Sequence, residues 1–308
     1  MRTSALFLSP LLALAAATSL HKRAHGVTSD ASSAANQTFD YIVVGVGLTG
    51  TTVAARLAEN SQVSILLLEA GGDDRGDARV YDVYQYSVAF GTELDWAWST
   101  ESGRTIHGGK TLGGSSSING AHWTRGMAAQ YDAWSTLLES NETEIGWNRD
   151  SLFSYMKKAE AFSAPNDGQR AKGANSNGSY HGSNGPVQVT FPDAMYGGPE
   201  QPNFVSTITN LTGIKHLPDV NGGDSNCVSY TPLSINWHAD DHRSSSVEAY
   251  LTPVENRRMK WLTLTNHQAT QILFASGTTA PHTAHGVQFR NSSGGTTYTA
   301  HAHTHAVH

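Results

Sequence analysis

The feature that most constrains this chain is "DYIVVGVGLTGTTVAARLAEN", from Asp40 to Asn60. Three glycines, Gly45, Gly47 and Gly50, stand in G-x-G-x-x-G spacing between a β-branched, aromatic run and an amphipathic one. Tyr41 to Val44 reads as a strand buried on both faces. After Gly50, the small Ala54 and the apolar Val53 and Leu57 fall at helical spacing. A second apolar run, Val63 to Leu68, ends in Glu69, so the unit from Asp40 to Glu69 spans 30 residues. That is the length of a βαβ unit built to hold a dinucleotide.

Each part has a mechanical reason to be there. Gly45 permits a tight turn, Gly47 lets backbone approach a pyrophosphate, and Gly50 lets the helix pack closely on the strand. The N–H groups of Leu48 and Thr49 open the helix, where unpaired donors and a partial positive charge favour phosphate. Glu69, 19 residues beyond Gly50, is placed to accept hydrogen bonds from ribose hydroxyls and disfavours a 2′-phosphate. These residues leave NAD and FAD equally open.

A second stretch, "HGGKTLGGSSSINGAHWTRG" from His107 to Gly126, narrows the choice. Two glycine pairs and three consecutive serines are poor core and unusual loop. The N–H groups around Gly113 and Gly114, with the Ser115 hydroxyl, suit a pyrophosphate or a flavin edge. Here the sequence resembles the glucose-methanol-choline (GMC) flavoprotein oxidoreductases, whose first signature reads much like Gly109 to Arg125. "LLLEAGG", "GWNRDSLFSYMKKAE", "HGSNGPVQV" and "DDHRSSSVEAYLTP" look like further blocks of that family in the same order. The resemblance runs from about Asp40 to about Ala300, nearest the fungal glucose-oxidase-like branch.

The resemblance implies FAD. Gly45, Gly47, Leu48, Thr49 and Gly50 match positions at the pyrophosphate, and Glu69 matches one at the adenosine ribose. Gly114, Ser115, Asn119, Gly120 and His122 match positions beside the pyrophosphate and flavin, and Ala269 one whose backbone meets the adenine. Where some members attach flavin covalently through histidine this chain has Ile118, so the flavin is expected to be non-covalent. Tyr86, in "VYQYSVAFG", matches an aromatic residue lining the substrate side. The family oxidises a small-molecule alcohol or sugar: a histidine base takes the hydroxyl proton while hydride passes to the flavin. The acceptor of its electrons is O₂ or a quinone. That base lies near the C-terminus of the family fold, so no residue here is assigned as catalytic. The second family signature is missing, and a chain truncated near Ala300 is expected. Close relatives carry a disulfide in this half, but Tyr180 stands where one cysteine belongs. Cys227 is the single cysteine.

The ends read differently. Met1 and Arg2 precede an apolar run from Ala5 to Ala17, which makes 1–19 a secretory signal peptide and is too short to span a membrane. Residues 20–37 are expected to be an unstructured pro-segment. Five N-x-[ST] sequons, at Asn36, Asn141, Asn177, Asn210 and Asn291, agree with a secreted glycoprotein. "HAHTHAVH", His301 to His308, departs from the family pattern and is expected to be a non-family tail. His301, His303 and His305 would share one strand face, but no acidic or cysteine ligand accompanies them, so no metal site is assigned. The net charge of −6 and the lack of a basic tract argue against nucleic acid as a partner.

The expected fold is α/β: a Rossmann-like, doubly wound FAD-binding domain from residues 38–125 and 235–300, with an incomplete α+β substrate or cap region at 126–234. The expected function is FAD-dependent oxidation of CH–OH groups, oxidase-type. The alternatives are a dehydrogenase passing electrons to quinones and a non-catalytic FAD-binding fragment.

Overall fold

The computed structural model describes residues 25–275 and 283–307; the leader assigned to 1–19 lies outside them. Seven strands form the principal sheet: β1 (Gly26–Thr28), β2 (Thr38–Val44), β3 (Ile65–Leu68), β4 (Trp261–Leu264), β5 (His267–Phe274), β6 (Ala284–Asn291) and β7 (Thr297–Val307). Their order across the sheet is β1-β4-β3-β2-β7-β6-β5. The first five are parallel to their neighbours, and β7-β6-β5 continue as an antiparallel meander. In the parallel part Ile42 and Leu66 face each other in register, as do Val43 and Leu67. All of β3 and β4 is buried, which explains why these runs are continuously apolar rather than alternating.

The sheet carries a core on each face. On one side Phe39, Ile42, Leu66, Leu68, Leu262, Leu264 and Phe289 pack together. On the other Val43, Ile65, Leu67 and Trp261 meet the helix α1 (Leu48–Leu57) through Ala54. Residues 126–234 add helices at Ala128–Ser135, Arg149–Lys158 and Glu200–Thr212 and the short strand pairs Glu160–Phe162 with Val187–Val189 and Lys215–His216 with Cys227–Val228. Cys227 is half-buried there. No helix among the described residues is long and apolar enough to cross a membrane.

Two expectations about the ends are corrected. Within the segment expected to be unstructured, Gly26–Thr28 joins the sheet edge beside β4, and Asp30 caps a short 3₁₀ turn by accepting from the Ser32 N–H. Ala34 is fully buried against Phe39's core. The histidine-rich end is not a tail outside the fold. It continues β7, His301 opposite Thr38 and Val307 opposite Val43, and fills the space between β2 and β6. Its alternation of His with Ala and Thr is compatible with a strand, and its backbone closes a gap that would otherwise leave two sheet edges unpaired.

Candidate functional site

The site grows from the turn after β2. Gly45 adopts φ +90°, open to glycine at little cost, and its N–H donates to the Leu68 carbonyl. Helix α1 begins at Leu48, with Gly47 as its N-cap and Thr51 N–H bonding to Gly47 O as the first helical bond. The N–H groups of Leu48, Thr49 and Gly50 therefore precede any intrahelical partner. A Cβ on Gly50 would stand 2.0 Å from the Gly45 carbonyl oxygen, so glycine alone lets the helix start this close to the turn.

The second glycine stretch rests against the first. A Cβ on Gly114 would come within 2.7 Å of the Gly47 Cα, and Gly114 itself has φ +53°. The N–H groups of Gly113 and Gly114, expected to face a ligand, are instead used internally: they donate to Val46 O and Thr111 O. The Ser115 side chain remains at the surface of the cleft, its Oγ accepting from Gly109 N–H at 3.2 Å.

Together these turns enclose a cleft of about 540 Å³. It is bordered by Gly45, Gly47, Leu48, Thr49 and Gly50 on one side and by Gly114 and Ser115 on another. Glu69 and Ala269 complete the set of expected residues lining it. Glu69 is 5% exposed. Its two carboxylate oxygens accept from Val46 N–H at 2.9 Å and Gly71 N–H at 2.8 Å. Burial pushes its carboxyl above the usual range, although the N–H groups of Gly71, Val46 and Ala70 and the Lys110 charge pull the other way. Glu69 is thus a brace of the glycine turn as well as a wall of the cleft.

The remaining expected residues stand outside that cleft lining. Tyr86 is half exposed, and a Cβ on Gly120 would touch both its ring and that of His122, so these three form a second group. His122 Nδ1 lies 3.0 Å from the Thr231 hydroxyl. Asn119 sits between the groups, its Oδ1 accepting from Ala121 N–H at 2.9 Å and from Arg243 at 3.0 Å. Ile118 is 3% exposed and packs with Val80, Ala89 and Leu94, so an apolar, unreactive side chain fills that position.

Several lining residues were not legible in the sequence. Trp96, stacked on Trp98 at 5.7 Å, and His267 and Gln268 beside Ala269 all face the cleft. His267 is buried, and its Nδ1 donates to the Thr265 carbonyl at 2.8 Å. Next to Trp96, the buried Asp95 carboxylate meets His107 Nδ1 at 2.5 Å and also accepts from the N–H groups of Gly91, Ala97 and Gly108. Burial opposes its charge, but Gly91, His107, Gly108 and Ala97 outweigh that and hold the carboxyl well below the usual range. The His107 ring stacks on Phe90 at 4.3 Å, and Phe90 meets Tyr86 edge-on.

A family model for GMC oxidoreductases matches residues 39–308, through the histidine-rich strand. Curated relatives include a glucose oxidase-like protein, fsoC, from Humicola fuscoatra, 35% identical over 89% of this chain and 47% of its own length. A glucose oxidase from Aspergillus carbonarius is 35% identical over 91% of this chain and 47% of its own. Among solved structures, an FAD-dependent oxidoreductase from Chaetomium thermophilum superposes with a TM-score of 0.74 at 28% identity, covering 87% of this chain and 44% of that one. The chain spans about half the length of the curated relatives it matches. With the glycine cradle, the sheet order and these matches in agreement, the chain belongs to the GMC oxidoreductase family.

Proposed function

We propose that this chain forms the FAD-binding part of an oxidase acting on the CH–OH group of a sugar or other alcohol, with O₂ as acceptor. The observation that carries this reading is the contact of Gly47 with Gly114 at the mouth of α1. Two backbone turns stripped of side chains meet there beside the unpartnered first-turn donors of Leu48, Thr49 and Gly50, a cradle suited to a pyrophosphate. The first-turn N–H groups bind the phosphates and the Ser115 hydroxyl adds a donor. The remaining lone pairs of Glu69 take the ribose hydroxyls, and the Ala269 backbone borders the adenine. Buried Ile118 offers no nucleophile, so the flavin is held without a covalent bond. Bound flavin supplies the hydride acceptor for oxidation of the alcohol carbon. Tyr86, with Gly120 and His122, borders the substrate side. None of these residues is assigned as the base that takes the hydroxyl proton, and the expected behaviour of residues 1–308 by themselves is flavin binding without turnover of alcohol.

Support for the oxidase reading comes from relatives that carry the name glucose oxidase. The test is to express residues 25–308, titrate with FAD, and assay glucose and aryl alcohols with O₂. Flavin binding with no turnover is the expected result. Turnover would place a base within these residues, and absence of flavin binding would remove the reading altogether. We further propose that the protein is secreted and carries glycans. Asn36, Asn141, Asn177 and Asn210 are exposed, whereas Asn291 is half-buried and its Oδ1 accepts from Ser293 N–H and Oγ.

A further inference from the structure

Arg243 is a buried cation without an ion-pair partner among the described residues. It is 3% exposed, and no carboxylate among the described residues lies within ion-pair distance. Every acceptor it finds is neutral. Nε donates to Val80 O at 2.8 Å, and Nη1 donates to Asn119 O at 2.7 Å, Asn119 Oδ1 at 3.0 Å and Ser116 O at 3.4 Å. Nη2 is buried without a hydrogen-bond partner. The cost shows in its acidity: burial pushes the guanidinium down to about 10 against the opposing pull of Asp82, whose carboxylate accepts from the Tyr84 N–H instead.

The charged groups around it do not neutralise it. Arg75 and Glu248 border the same cavity of about 730 Å³, with His242 beside them. Arg75 is already paired with Asp73 and Glu255. The Glu248 carboxyl is itself pushed up by burial, which disfavours its charge. A buried ion without a partner is strongly unfavourable and is retained where something else answers it. What faces Arg243 is the turn 113–119. It holds the carbonyls of Ser116 and Asn119 from behind, while Gly114 and Ser115 of the same turn line the cleft.

We propose that Arg243 is a positioning residue whose uncompensated charge serves as the counter-charge to the anionic ligand of the cleft, acting across the 113–119 turn. This rests on the reading that the ligand is FAD, whose pyrophosphate carries the negative charge. The guanidinium does two things at once. It fixes the turn by three hydrogen bonds, and it consumes the Asn119 Oδ1 so that the amide's free group is the Nδ2 donor. In the low-dielectric interior its field on the cleft is little screened.

The test compares Arg243→Met and Arg243→Lys with the parent protein, measuring FAD affinity by flavin fluorescence from pH 6 to pH 10. Parent affinity should stay level up to about pH 9. Arg243→Met should bind FAD about tenfold or more weakly. A buried lysine without a partner deprotonates below its ordinary value of about 10.4. Arg243→Lys should therefore bind within about threefold of the parent at pH 6 and converge on Arg243→Met as the pH rises. This pH dependence reads charge rather than packing, and it is measured on one folded protein even if Arg243→Met folds poorly. Lysine binding that stays as level as the parent's would overturn the counter-charge role, as would a methionine variant within threefold of the parent. Failure of the parent itself to bind FAD would instead remove the functional reading.

Discussion

Glu69 illustrates how far a single residue could be read before the fold was known. Its place at the end of β3 marked it as an acid pointing at a ribose, and it does line the cleft. Its bonds to Val46 and Gly71 N–H were not legible, because they depend on where the turn after β2 comes to rest. They change what a substitution does. Glu69→Gln keeps one oxygen but turns an NH₂ group toward a backbone donor, leaving either Val46 or Gly71 N–H buried without an acceptor. That should cost about 1–3 kcal/mol of stability, and Glu69→Ala, which strands both, should cost more. Chemical denaturation of the apo-protein checks the order, and a glutamine variant as stable as the parent would show that Glu69 is no brace. Gly114→Ala is the matching test of the cradle. Its Cβ would meet the Gly47 Cα at 2.7 Å in a left-handed conformation. Overpacking of this kind costs about 1–3 kcal/mol, and loss of flavin retention on dialysis should accompany it.

At the scale of elements, local signals served well where the sequence itself holds the period. The strand–turn–helix–strand unit from β2 to β3 follows from continuous apolar runs and three glycines. Another short-range feature is the Ser245 cap, whose Oγ accepts from Glu248 N–H. Elements that owe their existence to distant partners were missed: three-residue β1 depends on β4, and the histidine-rich part of β7 depends on β2. The same holds for a buried staple in the 126–234 region. His181 donates from Nδ1 to Glu160 at 2.8 Å and from Nε2 to Asp219 at 2.7 Å, stacked on Phe162. Arg125 pairs with the other Glu160 oxygen. This ties the strand at Glu160, the loop around Tyr180 and the turn at Val220–Gly222 together. Burial disfavours the imidazolium, but the bonds to Asp219 and Glu160 outweigh it and raise the histidine above its ordinary 6.5. Burial likewise opposes charge on Glu160 and Asp219, and their bonds to His181 outweigh it and lower both carboxyls.

A raised histidine contributes stability that is complete below its unfolded value and lost as pH rises through the folded one. The lowered carboxyls contribute stability present above their unfolded values and lost as pH falls through the folded ones. Stability from the staple should therefore peak between the carboxylate range and the raised histidine value, and decline above it. His181→Phe leaves two buried carboxylates short of a partner and should cost about 3–5 kcal/mol. Thermal melts across pH 4 to 9 check this. The variant should lose the alkaline limb that His181 causes, and an unchanged pH profile would assign that limb to another group.

For the whole molecule, the family and fold were legible because they rest on several ordered motifs, each with its own steric or electrostatic reason. The charges that support the site were not legible, because Asp95 meets His107 12 residues away and Arg243 reaches Val80 163 residues away. Exposed sequons make a surface prediction: expressed through a eukaryotic secretory route, the protein should carry glycans at Asn36, Asn141, Asn177 or Asn210, read as a mass loss on endoglycosidase treatment. No mass loss would argue against the secreted reading. The central claim is that the cleft between the two glycine turns holds FAD without a covalent bond. The most direct measurement is the visible spectrum of the purified flavin-loaded protein before and after denaturation and filtration. The account predicts flavin bands in the native protein that pass quantitatively into the filtrate as FAD, and a native protein without flavin bands after incubation with FAD would contradict it.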